Sequence, residues 1–312
     1  MRIYVVGCGA MGSIYAALFA SDDHEVCVVD PNLAHIEQIN SHGLRVYGAS
    51  GDRTVRIRAF TDAPTLPPSK RPDLIICAVK ARFIPSAADT LQHLCGPHTL
   101  IITLQNGLGS ADIIAQTLGE QALIVAIAAG FGASLEAPGV AHHNAMKAIR
   151  MGPYSSVNPE RVQEMARHWQ NAGFDAEAVD NLESMQWAKL ICNVAYSGPC
   201  ALSGLTVGEV TRHPILSLIS RNAAREAYRV AQNLEIILPF NNVDQEILQF
   251  AQGMPDAKPS VLLDIERGSP SEINVINGAI AAQAQKIGLD APVNQALTEQ
   301  VLALQAKSAP KH

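Results

Sequence analysis

The stretch Ile3-Tyr4-Val5-Val6-Gly7-Cys8-Gly9-Ala10-Met11-Gly12-Ser13-Ile14-Tyr15-Ala16-Ala17-Leu18-Phe19-Ala20 decides the fold. Ile3–Val6 is a short β-branched and aromatic run, the pattern of a strand, and Met11–Ala20 has the length and composition of a helix. Between them Gly7-Cys8-Gly9-Ala10-Met11-Gly12 spells GxGxxG. In that context Gly7 permits the tight turn, Gly9 lets the backbone approach a diphosphate, and Gly12 lets helix pack on strand. Free N–H groups and the dipole at the helix start favour the negative charge of the diphosphate. Cys8, Ala10 and Met11 complete the expected cofactor-binding loop, and the reading competes with a plain glycine turn of another α/β protein.

Working outward, Glu25–Val29 reads as a second strand that ends in Asp30. A carboxylate there accepts hydrogen bonds from both ribose hydroxyls and repels a 2′-phosphate. The next residues, Pro31-Asn32-Leu33-Ala34, supply no base, so this end of the site favours NADH over NADPH. The competing reading makes Asp30 the cap of a helix from Leu33. Further strands are expected at Leu44–Tyr47, Thr54–Ala59, Leu74–Val79, Thr99–Thr103 and Ala122–Ala128, with helices at Leu33–Asn40, Ile84–Leu94 and Ala111–Leu118. Continuous apolar strands alternating with helices predict a doubly wound, mostly parallel Rossmann sheet over residues 1–180. Lys80 and Asn106 follow strands at their carboxyl ends, where open α/β sheets bind ligands. Lys80 is therefore a candidate for the cofactor, and Asn106, within Gln105-Asn106-Gly107, is both a turn signal and a candidate for orienting cofactor and substrate.

Beyond Asp180 the strand patterns fade. Glu183–Tyr196, Pro214–Leu234, Val243–Gln252, Pro259–Arg267, Ile273–Ile287 and Pro292–Ala306 have helical spacing, and Pro214, Pro259 and Pro292 suit first helical turns. An all-α domain over residues 181–312 is expected, ending in a polar tail at Lys307–His312. Within the first of these helices Lys189, Asn193 and Ser197 stand at i, i+4 and i+8 on an otherwise apolar helix, so one face carries a polar stripe. Either solvent or a cleft explains such a stripe, and two short polar side chains with one lysine make a sparse solvent face. Ser260 opens a helix whose start suits a carboxylate, and Glu272 opens the next, although both also read as ordinary helix-start residues.

The composition excludes several classes. Charged residues are 17% of the 312, and 23 basic against 29 acidic side chains leave a net charge of −6. Residues 1–180 hold 13 basic and 17 acidic side chains and the remainder 10 and 12, so neither half offers a basic stripe for nucleic acid. The apolar stretch from Ala122 to Gly132 is about half the ~20 residues of a spanning helix, and no secretory pattern opens the chain, so no membrane segment and a cytoplasmic location are expected. Six cysteines without a CxxC, and His142-His143 without a further ligand pattern, predict no metal site.

The glycine loop, Val79-Lys80-Ala81, Leu104-Gln105-Asn106-Gly107, Lys189 with Asn193, and the run Lys258–Gly278 together resemble the ketopantoate reductase (2-dehydropantoate 2-reductase) family over nearly the full chain. The final run carries most of the specificity: Lys258-Pro259-Ser260, Asp264-Ile265-Glu266-Arg267-Gly268, Glu272-Ile273 and Ile276-Asn277-Gly278 in one register. The resemblance implies reduction of a 2-oxo acid to a 2-hydroxy acid with NADPH, at a site between a Rossmann and a helical domain. It implies Lys189 as the catalytic lysine and Glu272 as the active-site glutamate. Asn193, Ser197 and Ser260 fall to the substrate, and Lys80 and Asn106 to the cofactor side. Three positions depart from the family's habit: Ser197 and Val207 stand where asparagines are common, and Asp30-Pro31 where NADPH users commonly carry a base. By the resemblance ketopantoate is the first expected substrate, and the departures at Ser197 and Val207 leave a more apolar or smaller 2-oxo acid as the alternative. A β-hydroxyacid dehydrogenase, or in another class a non-catalytic dinucleotide-binding sensor, completes the set of readings. A homodimer is left open.

Overall fold

The computed structural model describes residues 1–130, 132–146 and 148–308. The described chain forms two compact units, Met1–Gln105 with Ser110–Leu182, and Asn106–Gly109 with residues 183 onward. A division read along the sequence leaves the loop Asn106–Gly109 in the first half, and the folded chain groups it with the second. Residue 131, inside the long apolar stretch, and residues 309–312 of the polar tail lie outside the described residues.

The first unit opens with β1 (Arg2–Val6), α1 (Ala10–Ala20), β2 (Glu25–Val29), α2 (Leu33–His42), β3 (Leu44–Gly48), β4 (Arg53–Val55), β5 (Arg58–Phe60), β6 (Leu74–Cys77), α3 (Ile84–Leu94), β7 (Leu100–Thr103) and α4 (Ser110–Leu118). It continues with β8 (Leu123–Ala129), β9 (Gly132–Ala137), β10 (Val140–Ala145), β11 (Ala148–Pro153), α5 (Pro159–Asn171) and β12 (Asp175–Ala178). Among the described residues an eight-stranded sheet runs β12-β11-β8-β7-β6-β1-β2-β5, parallel throughout except where β11 meets β8 antiparallel. This is the expected Rossmann arrangement. Its central strands β1, β6 and β7 are buried along nearly their whole length, as a sheet covered on both faces requires.

Three features were not legible. A second sheet, β4-β3-β10-β9, covers α1 from the side away from the main sheet. Every residue of α1 from Gly12 to Phe19 is therefore buried, and its sequence shows no polar face. The single strand expected at Thr54–Ala59 is two: β4 pairs antiparallel with β3, and β5 extends the main sheet beside β2. Finally, α5 packs Trp169 edge-on to Tyr15 and Phe19, at 5.2 and 5.1 Å between ring centroids, a dense aromatic core under α1.

The second unit contains α6 (Leu182–Ser203), α7 (Val207–Arg212), α8 (Leu216–Asn233), α9 (Val243–Gly253), α10 (Ser260–Glu266), α11 (Asn277–Lys286) and α12 (Pro292–Ser308). All-helical character is thus as expected, with local corrections. Pro214 lies in the turn before α8, and Pro259 takes the N-cap of α10 rather than its first turn. The helix α6 runs past Tyr196 and through Pro199, because burial on all sides outweighs one missing hydrogen bond. A buried polar knot sets its position. The Glu226 carboxylate accepts from the backbone N–H groups of Val293 and Asn294, both at 2.9 Å, at the positive start of α12. Asn294 in turn accepts from Asn277 Nδ2 at 2.9 Å, and Asn277 donates to the Val194 carbonyl at 3.0 Å. Asn277, the asparagine of the Ile-Asn-Gly motif, thereby holds α6 at the residue after Asn193.

Candidate active site

The glycine loop is built mainly by the absence of side chains. Gly7 has φ +91°, and a Cβ there would lie 2.6 Å from the Val79 nitrogen. A Cβ on Gly12 would lie 2.0 Å from the Gly7 carbonyl oxygen. These two positions admit nothing larger. Gly9 differs: it is exposed, it is the N-cap of α1 with no side-chain cap, and a Cβ there would meet nothing within 4 Å. Uncapped N–H groups at an open helix start are what a diphosphate needs, so the loop fits the dinucleotide. Ala10 and Met11, in the first turn of α1, are half-buried beside it. Cys8 is buried, and burial pushes its thiol up to about 12, which leaves it without thiolate character at neutral pH.

At the end of β2 the Asp30 nitrogen donates to the Phe60 carbonyl at 3.0 Å. Its carboxylate accepts from the Asn32 N–H at 2.9 Å. The cap of α2 is Asn32, whose Oδ1 accepts from the His35 N–H at 3.2 Å. The alternative role for Asp30 as that helix cap is therefore filled by another residue. Lys80 is half-buried just past β6, at the start of a 3-10 turn over Ala81–Phe83. Gln105, to which sequence reasoning assigned no task, donates through Nε2 to the carbonyls of Cys77 and Val79 at 2.8 and 2.9 Å. It ties the ends of β6 and β7 together beside Lys80.

The second unit gathers a charged cluster around Lys189. Its Nζ donates to Asn106 Oδ1 at 2.9 Å, across 83 positions of sequence. Burial pulls the ammonium down to about 8, opposed by the attraction of the Glu272 carboxylate. Lys189 and Asn106 are therefore brought together, and the charge of Glu272 acts on the ammonium. The loop that carries Asn106 is held on both sides: Gln186 donates to the Gly107 carbonyl at 3.2 Å, and the Leu108 N–H donates to the Val275 carbonyl at 3.1 Å. Gly107 has φ +82°, and a Cβ there would fall 1.9 Å from that same Val275 oxygen, which is why glycine follows the asparagine. Gln186 was missed, although its place three residues before Lys189 puts it on the same helix face.

The remaining candidates are placed less directly. Asn193 is half-buried one turn beyond Lys189, and Ser197, at 4% exposure, is buried a further turn on. Val207 is in the helical core at 1% exposure. Ser260 is exposed at the first position of α10, a helix of 7 residues. Among the described residues the side chains of Asn193 and Ser260 make no hydrogen bond to protein groups. Lys258 pairs with Glu266 at 2.6 Å and clasps α10. The histidine pair takes opposite faces of β10, His142 stacking on Tyr47 and His143 buried against Ser50. Among the described residues no helix is long and apolar enough to cross a membrane.

Comparison with known proteins gives consistent results. Residues 3–156 match the family model "Ketopantoate reductase PanE/ApbA", and residues 181–305 match its C-terminal model. A 2-dehydropantoate 2-reductase of Pyrococcus horikoshii is 30% identical, the match covering 94% of each chain. The crystal structure of a PanE/ApbA family ketopantoate reductase from Ralstonia eutropha superimposes with a TM-score of 0.89 at 28% identity, over 99% of both chains. D-mandelate dehydrogenase in complex with NADH and anilino(oxo)acetate, at 23% identity and a TM-score of 0.90 over 99% of both chains, shares the fold. The chain belongs to the ketopantoate reductase PanE/ApbA family and is an NAD(P)-dependent oxidoreductase.

Proposed function

We propose that the protein reduces 2-dehydropantoate, or a smaller or more apolar 2-oxo acid, to the 2-hydroxy acid, with NADH at least as effective as NADPH. The observation that carries this reading is the Lys189–Asn106–Glu272 cluster, which holds one proton donor in a defined direction. The nicotinamide, when bound, supplies the hydride. What the chain must supply is a proton for the carbonyl oxygen and charge to stabilise that oxygen as it becomes negative. Lys189 meets both needs: burial brings its acidity close to neutral, and Glu272 keeps the proton on Nζ at physiological pH. Asn106 accepts one of the three ammonium hydrogens and so orients the others. Asn193 and Ser260, whose side chains make no hydrogen bond among the described residues, are assigned to the substrate, with Ser197 one turn beyond Asn193 in its helix. Gly7, Gly9 and Gly12 with Cys8, Ala10 and Met11 are assigned to the diphosphate, Asp30 to the ribose, and Lys80 and Asn106 to the remainder of the cofactor.

Two departures favour the smaller or more apolar substrate. Ser197 and Val207, both buried, offer fewer hydrogen-bonding groups for a substrate hydroxyl than asparagines there would. The test is a panel of 2-oxo acids, ketopantoate and unsubstituted aliphatic ones included, each assayed with NADH and NADPH separately. Turnover of at least one 2-oxo acid is expected. Tight cofactor binding with no turnover of any would replace the reading with that of a dinucleotide-binding sensor.

A further inference from the structure

We propose that Ser13 and His35 are positioning residues that turn the Cys8–Gly9 peptide so that the Gly9 N–H faces the cofactor diphosphate. The inference rests on the reading of Gly7–Gly12 as the dinucleotide loop. A trans peptide is planar, with its carbonyl and its N–H pointing in opposite directions. Whatever pins the Cys8 carbonyl therefore turns the Gly9 N–H to the opposite side of that peptide, at a residue that is itself exposed. One buried side chain bonds that carbonyl, and a second lies near enough for the Cys8 backbone to act on it. Ser13 is fully buried and its hydroxyl donates to the Cys8 oxygen at 3.2 Å. His35, also fully buried, approaches from α2.

The orientation of the His35 ring follows from its other side. Nδ1 accepts from the Gly139 N–H at 2.9 Å, in the turn between β9 and β10. That turn is itself anchored, since the Gly139 carbonyl accepts from the Arg45 N–H at 2.9 Å. A ring that accepts at Nδ1 carries its proton on Nε2 when neutral, and burial favours the neutral form. Among the described residues Nε2 is buried without a hydrogen-bond partner, while the backbone of Cys8 and the carboxylate of Asp30 raise the ring's basicity against the burial. The ring thus links the second sheet to the glycine loop and to the residue expected to hold the ribose. A buried Nε2–H left without a partner is the donor that the Cys8 carbonyl would draw in when an anion at the Gly9 N–H polarises the whole amide.

The experiment measures cofactor affinity directly, by fluorescence of bound NADH and NADPH, together with thermal stability and kcat at saturating cofactor. Ser13→Ala removes one brace. His35→Asn keeps an acceptor for Gly139 and loses the donor at Nε2, whereas His35→Gln keeps a donor near the Nε2 position. Ser13→Ala and His35→Asn should each weaken cofactor binding about three- to tenfold with kcat retained, the size of one lost hydrogen bond. His35→Gln should lie closer to the wild type than His35→Asn. Gly9→Val serves as the control on the loop itself, since its backbone conformation suits any residue and the protein offers the side chain no clash. If Gly9→Val weakens binding and both braces leave the wild-type Kd, the inference is overturned. If Gly9→Val also binds normally, the loop is not the dinucleotide site and the reading beneath the inference falls. Should His35→Asn fail to fold, Ser13→Ala and the ordering of His35→Gln decide.

Discussion

The glycine loop of the first unit and the lysine cluster of the second make polar sites from opposite materials. At the loop the recognition groups are backbone N–H groups, and the side chains that matter are those that are missing, at Gly7, Gly9 and Gly12. Around Lys189 the working groups are side chains, and the backbone's task, through Gly107 and Val275, is to bring Asn106 within 2.9 Å of the ammonium. The difference teaches where each site is vulnerable. A backbone site fails above all by steric intrusion. A site of side chains in a desolvated cluster fails when one charge is removed, because the partners left behind have little water to replace it.

The sharpest way to break the comparison is Lys189→Ala. It should lower kcat by roughly 10²–10⁴, the range for losing a general acid, while cofactor affinity measured by fluorescence holds. Near-normal turnover would remove Lys189 from the chemistry, and a collapse of cofactor affinity would show that the two sites are not separable.

Asp30→Ala probes the carboxylate assigned to the backbone-built site. A carboxylate facing a 2′-phosphate costs on the order of 1–4 kcal/mol near a surface, or about one to three decades in affinity. The substitution should raise kcat/KM with NADPH and lower it with NADH. A wild-type enzyme that strongly prefers NADPH would sink this assignment.

A smaller effect is expected from Asn193→Ala and Ser260→Ala. Each should raise KM for the 2-oxo acid about three- to thirtyfold, the value of a hydrogen bond to a neutral or charged group, with kcat changed less. Wild-type KM values for both would dissociate them from the substrate.

Glu272→Gln has a displaced pH profile as its signature. Lys189 donates a proton only as the ammonium, so kcat/KM, which reports the free enzyme, should be full below its pKa and fall as pH rises through about 8. Glu272 raises that pKa, and its neutral replacement should move the descending limb to lower pH. A limb that stays in place would mean that another group controls it.

Much of this was legible because it is local. The strand, glycine loop and helix of residues 3–20 follow from a β-branched run, a positive-φ glycine and a helix start, all settled by neighbours in the chain. The polar stripe of Lys189, Asn193 and Ser197 follows from helical period alone. Illegible features all depend on contacts between distant segments. No local pattern separates β4 from β5, because their assignment to different sheets depends on where β3 and β2 lie. Nor does any pattern reveal α5 and Trp169 as the aromatic floor beneath α1.

The sequence by itself determined that a Rossmann unit precedes a helical one, and it named the residue types that carry the chemistry. Only the tertiary structure decided that Asn106–Gly109, continuous in sequence with β7, groups with the helices. It also decided that Asn106 reaches Lys189 across 83 positions and that burial lowers the lysine to about 8. The physical reason is that hydrogen-bonded periodicity and turn chemistry are short-range, whereas desolvation and the pairing of buried polar groups exist only once remote segments have excluded water together.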